Sequence, residues 1–316
     1  MRRCSMPWAR QWVNWGTKAP SPVAILSTGA SGGCRMTDEQ VDLCVSPLVV
    51  GGRVRGGRAT QQDELVCLHA PDADARLLVL ADGMGGDGAG ELAAQTVVGV
   101  ARQMWEQGSW REQPGSLFLE ALCQEAHTQL RRLRDTLASG EPHSTAVALL
   151  IKGDRACWAH VGDSRLYRFQ GRRCLEQTQD HSVAELKRQH GDISEAALAS
   201  DPDQHKLLRG LGGIHAPVVD HGLATLRPGQ AFVLCSDGVW EHLSTRELAE
   251  LGCARDQQVA LQHALTLVVS RGGEHADNAS LVVARVADTG WMRRLMAWMG
   301  STLSGAVSAR RDDIAA

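Results

Sequence analysis

The chain has 316 residues, 43% hydrophobic and 22% charged, the profile of a soluble globular protein with one large domain or two small ones. A formal net charge of -3 leaves no electrostatic case for nucleic-acid binding. Nine scattered cysteines with no C-x-x-C pair argue against a zinc site or disulfide framework, and no run approaches the ~18 apolar residues needed to span a membrane.

Residues 1–45 mix Trp, Pro, Ser and Gly without a sustained period and read as a disordered N-terminal extension, with Met36 as an alternative start. Val23-Ala24-Ile25-Leu26 is too short for a secretory leader, so the expected location is cytoplasmic. The main domain is expected over 46–288. Apolar runs at 48–50, 64–68 and 77–81 read as strands, and the spacing at 91–106 and 116–137 predicts two helices. Runs at 145–152, 155–161 and 165–170, continued at Cys174-Leu175, are joined by links too short for a crossover helix and predict an antiparallel meander. Helices are expected at 182–189, 192–200, 245–251 and 256–271, and strands at 231–235 and 280–286. The order of elements gives an α+β fold with mostly antiparallel sheet.

Three aspartates sit at the ends of apolar runs. Asp82-Gly83-Met84-Gly85-Gly86 follows Leu77-Leu78-Val79-Leu80-Ala81, Asp237-Gly238 follows 231–235, and Asp277-Asn278 precedes 280–286. Carboxylates and backbone carbonyls without a Cys/His cluster favour Mg²⁺ or Mn²⁺ over zinc. Gly83-x-Gly85-x-x-Gly88 formally matches a dinucleotide fingerprint, but Asp82 would repel a pyrophosphate and no βαβ unit follows. A hydrolase with two divalent ions fits better.

The motif order over about 46–288 resembles the metal-dependent Ser/Thr protein phosphatases of type 2C (the PPM family), in their compact bacterial form. The resemblance rests on Arg58-Ala59-Thr60-Gln61-Gln62-Asp63, Asp82 to Gly86, His143-Ser144-Thr145-Ala146, Val161-Gly162-Asp163-Ser164-Arg165, Thr178-Gln179-Asp180-His181-Ser182, Ser236-Asp237-Gly238 and Asp277-Asn278, all in the family order. It implies a four-layer α-β-β-α sandwich, with two mostly antiparallel sheets flanked by helices. It implies hydrolysis of phosphoserine or phosphothreonine by a metal-bridging water, with two Mn²⁺ or Mg²⁺ ions and a weaker third. Asp82, Asp237 and Asp277 would hold the first ion, and Asp82 with the Gly83 carbonyl the second. Asp63 would orient waters or ligate directly, Asp163 would serve the third ion, and Arg58 would contact the substrate phosphate as a fork of donors. Arg58, Asp63 and Asp82 thus form the expected catalytic centre. Asn278 would steady the Asp277 loop, and Asp180-His181-Ser182 would cap a helix, with no catalytic role for His181.

Departures from the family pattern bear on mechanism. Gln61 stands for Asn, Gln62 where many members have Glu, His143 for Gly, and Met84 where many have a His thought to act as general acid. Met cannot donate a proton. The expected partners are phosphorylated proteins and a cognate bacterial Ser/Thr kinase, with the protein itself a monomer. The alternative reading is a phosphoprotein-binding module with little turnover. Residues 182–211 would form a flap, whose Lys187, Arg188, Lys206 and Arg209 read as a solvated face rather than a phosphopeptide groove. In the tail, 289–316, the segment 291–299 predicts a short amphipathic helix suited to docking on its own domain or a partner rather than on a membrane.

Overall fold

The chain builds strands β1 (Asp42–Ser46), β2 (Val49–Val54), β3 (Asp63–Ala70) and β4 (Ala75–Met84), then helices α1 (Ala89–Gln107) and α2 (Gly115–Arg134). Strands β5 (His143–Ser144), β6 (Ala146–Lys152), β7 (Arg155–Val161), β8 (Arg165–Gln170) and β9 (Arg173–Gln177) follow, then α3 (Val183–His190). The last elements are β10 (Asp220–Thr225), β11 (Gln230–Cys235), α4 (Asp237–Trp240), α5 (Thr245–Cys253), α6 (Gln257–Gly272) and β12 (Ala279–Arg285). This computed structural model describes residues 42–46, 48–194, 197–198 and 201–286, all within the compact unit Glu39–Ala316. The expected extension up to residue 41 and the tail helix expected at 291–299 lie outside the described residues. No helix among the described residues is long and apolar enough to cross a membrane.

The strands form two sheets, ordered β1-β2-β12-β11-β8-β9 and β10-β7-β6-β4-β3, with β5 attached to the end of β4. The named pairings are all antiparallel. Alternation along each central strand explains the layering, because successive side chains point to opposite faces. Leu78 and Leu80 of β4 meet Phe232 and Leu234 of β11, Leu149 of β6 and Val282 of β12 between the sheets. Leu77, Val79 and Ala81 point the other way, onto Val97 of α1 and Phe118 and Leu122 of α2. Val233 and Cys235 of β11 likewise turn outward to Leu248 of α5 and Leu261 and Leu265 of α6. Three apolar cores between four layers are the expected α-β-β-α sandwich. Ser244 and Glu247 close a capping box on α5, and the Ser182 side chain caps α3.

The meander expectation needs correction. β6 and β7 do pair as a hairpin, but β8 leaves for the other sheet and pairs with β11 and β9. The free edge of β7 is taken instead by β10, which the sequence reading did not include. Gly162 makes the crossing: its φ of +109° suits glycine, and a Cβ there would lie 2.6 Å from the Thr145 side chain. Of the helix expected at 192–200, Asp192 to Ser194 form a bend and an irregular segment. The first sheet begins at Asp42, ahead of the boundary expected near residue 46.

Phe232 is fully buried between the sheets, its ring 6.2 Å from that of Trp158. Phe232→Ala should therefore destabilise the domain by about 3–5 kcal/mol, measured by urea unfolding.

Candidate metal centre

Five carboxylates from five separate segments converge where the two sheets meet. Asp63 opens β3 and lies directly opposite Asp82 near the end of β4. Asp163 occupies the link between β7 and β8, Asp237 opens α4, and Asp277 precedes β12. Neighbours pin the backbone at Asp82 and around Asp277. Thr145 N–H and Ser144 Oγ both donate to the Asp82 carbonyl, at 2.8 and 3.0 Å, and Asp82 N–H donates to Thr145 Oγ1 at 3.0 Å. That is what the Ser144-Thr145 pair is for. Asn278 Oδ1 accepts from Gln62 N–H at 2.7 Å, while its Nδ2 donates to the carbonyls of Arg55 and Thr60. Asn278 thus ties the Asp277 loop to the segment before β3.

The glycines after Asp82 are sterically required in part. A Cβ on Gly83 would lie 1.9 Å from the Gly90 carbonyl at the start of α1, and Gly85 has φ +142°. The Gly83 carbonyl oxygen lies beside Gly90.

Burial and crowding set the electrostatics. Burial, with repulsion from Asp237 and Asp277, pushes the Asp63 carboxyl up to about 7, against the hydrogen bond from Ser236. Asp82 is raised well above the usual carboxylate range by burial and by Asp63, Asp237, Asp163 and Asp277. Asp163 is raised too, by burial and then by Asp237 and Asp180. Asp63 Oδ2 accepts from Ser236 Oγ at 2.7 Å, but its Oδ1 is buried without a partner. Buried charges of one sign need a cation. A set of carboxylate and carbonyl oxygens with an orphaned buried oxygen fits hard dications such as Mg²⁺ or Mn²⁺.

Arg58 reaches the cluster by an ion pair with Asp277, Nη2 to Oδ2 at 2.5 Å, and its side chain stays 57% exposed. His181 has a structural place: its Nδ1 accepts from Gly162 N–H and its Nε2 faces Asp220. The basic residues of 182–211 are neutralised locally. Lys187 pairs with Asp201 and Asp203, Lys206 with Asp203, Arg188 with Glu185, and Arg209 with Asp220.

Two further residues join the site. His205 Nδ1 lies 3.6 Å from Asp237 Oδ2 and 3.8 Å from Glu241 Oε1. One ligand atom from each of the three lies within 4.8 Å of the others, a spacing that could hold a cation. Asp237 raises the His205 imidazole to about 9, and burial, then Asp237, raises Glu241 to about 7. Glu241 carries a sequence signal, since position i+4 from Asp237 on a helical turn shares its face. His205 carries none, because only the path of the flap brings it here.

The crowding has a pH signature. Folded, Asp63 keeps its proton up to about pH 7, whereas unfolded it loses it near 3.9. The folded state therefore binds more protons in between, and stability of the metal-free protein rises as pH falls through 7. Thermal unfolding in chelator should show Tm rising from pH 8 to 6.5, and Asp82→Asn should raise Tm at pH 8. A flat profile would show that the carboxylates do not crowd one another.

The sequence model of the family described as Protein phosphatase 2C matches residues 51–276. Serine/threonine protein phosphatase PstP of Mycobacterium tuberculosis is 29% identical over 252 residues, covering 77% of this chain and 45% of that protein. The chain thus spans under half the length of that relative. Serine/threonine phosphatase stp of Listeria monocytogenes is 26% identical over 66% of this chain and 83% of its own length. A crystal structure of the catalytic domain of PstP, in complex with two manganese ions, superposes with a TM-score of 0.63 at 26% identity, covering 76% of this chain and 98% of that one. With the motifs, the sandwich and the converging carboxylates in place, the chain belongs to the Protein phosphatase 2C family.

Proposed function

We propose that this chain is a metal-dependent phosphatase that hydrolyses phosphoserine and phosphothreonine in proteins, opposing a bacterial Ser/Thr kinase and acting as a cytoplasmic monomer. The observation that carries the reading is the meeting of Asp63, Asp82, Asp163, Asp237 and Asp277, which with burial raises the carboxyls of Asp63, Asp82 and Asp163. When bound, Mn²⁺ or Mg²⁺ supplies Lewis-acid stabilisation of the phosphoryl group and lowers the pKa of water. The relative crystallised with two manganese ions supports the choice of metal.

Asp82 would be shared between two ions, with Asp237 and Asp277 completing the first position and the Gly83 carbonyl the second. Asp63 sits behind Asp82 on the neighbouring strand and would orient water through its unpartnered Oδ1. A third, weaker cation would use Asp163 and Asp237, with His205 and Glu241 within reach. Arg58, held at the rim by Asp277, would present its remaining donors to the substrate phosphate. Met84 places no proton donor on the loop after Asp82.

The test is turnover of a phosphothreonine peptide with Mn²⁺ in wild type and in Asp237→Asn. Loss of an outer-shell partner typically costs 10–100-fold, so loss of a direct ligand should cost more than about 100-fold. Undiminished turnover in the variant would overturn the metal assignment. Tight Mn²⁺ binding by the wild-type protein with no turnover would instead favour a phosphoprotein-binding module.

A further inference from the structure

The helix α4 is one turn long, yet it touches three parts of the site. Asp237 begins it. Trp240 donates its indole N–H to the backbone carbonyl of Asp163 at 2.9 Å. Glu241, the next residue, accepts from Gln204 Nε2 of the flap at 2.9 Å.

The Trp240 contact is unusually well supported. The side chain is buried, at 7% exposure, and the Arg165 guanidinium lies over its ring at 3.6 Å. Arg165 is itself fixed by both oxygens of Asp180, at 2.8 and 2.7 Å, and donates to Tyr167 at 3.2 Å. A buried indole N–H is a donor only and must find an acceptor. The acceptor here is the carbonyl of Asp163, in the link where Gly162 lets the chain cross between sheets. A leucine or phenylalanine would fill much of the same volume beneath Arg165 but could not hold that carbonyl. The indole therefore works as a strut between the element that carries Asp237 and the bend that carries Asp163.

We propose that Trp240 is a positioning residue that fixes the spacing of Asp163 and Asp237, and so sets how tightly the weaker cation is retained. This rests on the reading of Asp163 and Asp237 as ligands of that cation. Trp240→Phe keeps an aromatic ring, smaller and a weaker cation–π partner, beneath Arg165 and removes the donor.

Calorimetric titration with Mn²⁺ should show the weakest class of site loosened about three- to tenfold in Trp240→Phe, the equivalent of one neutral hydrogen bond. The metal-free unfolding temperature should fall by a few degrees, because the buried Asp163 carbonyl loses its donor. Wild-type Mn²⁺ affinity and stoichiometry in the variant would overturn the proposal, whatever happened to its Tm. Should the variant not fold, the wild-type protein decides the matter. With ¹⁵N-tryptophan labelling, the indole N–H signal of Trp240, assigned from its proximity to Arg165, should shift as Mg²⁺ fills the weakest sites. A signal indifferent to Mg²⁺ overturns the proposal. Neither readout uses turnover, so a protein that binds metal but leaves phosphopeptide intact would sink the phosphatase reading alone.

Discussion

Like charges do not gather in a protein interior unaided, and the buried carboxylates at the junction of the two sheets are the constraint around which the rest of this domain is arranged. Their repulsion and desolvation raise Asp63, Asp82 and Asp163 far from the ordinary carboxylate range. The fold resists that strain by holding backbones as well as side chains. Ser144 and Thr145 hold Asp82, Asn278 holds the loop of Asp277, and the indole of Trp240 holds Asp163. One oxygen each of Asp63, Asp237 and Asp277 accepts from Ser236 Oγ, Gly238 N–H and Asn278 N–H respectively, while Oδ1 of Asp63 is left without a partner. A site that neutralised its own acids would be more stable when empty and less able to bind.

The surroundings follow a different rule, in which charges are paired with geometric fidelity. Arg165 and Asp180 form a buried bidentate pair, with the Arg165 guanidinium over the Trp240 ring, and removing either partner would strand a charge in a dry environment. The flap is laced by short ion pairs among its own residues and with Asp220. Its apparent basic character in sequence disappears once these partners are counted.

Much of this was legible from the chain because the informative residues are local. Continuous apolar runs marked β4 and β11, and an aspartate at the end of each marked the site. Asp63 and Asp163 entered through the resemblance of the motifs that contain them, Arg58 to Asp63 and Val161 to Arg165, to those of the family. What escaped was whatever depends on tertiary path. β10 alternates exposed and half-buried residues with little apolar content, so Asp220–Thr225 carries no strand signal until β7 offers it an edge. The switch of β8 between sheets hides in a three-residue link that a hairpin would satisfy equally well in sequence. His205 sits in an irregular polar segment, and its approach to Asp237 is a property of the flap's course alone. Trp240 reads as an ordinary core residue; only its acceptor gives it meaning.

The strand order also governs when the domain can come into being. The sheet of β3, β4, β6, β7 and β10 is complete in sequence by Thr225, built from the local hairpins β3–β4 and β6–β7 joined by the longer-range pairings β4–β6 and β7–β10. The other sheet is not, because β2 pairs with β12, setting Val54 opposite Ala279 at the far end of the domain. During synthesis β2 must wait, its apolar edge unmatched, until almost all of the chain has emerged. Contacts of such long range close slowly because the entropy of a large loop is lost before they form. Asp82 is thus in place on an early-forming sheet, while Asp237 and Asp277 flank the two strands that arrive last. A chain ending before Asp277 would carry Asp63, Asp82, Asp163 and Asp237 but lack the fifth carboxylate and the strand that closes the sheet beside β2.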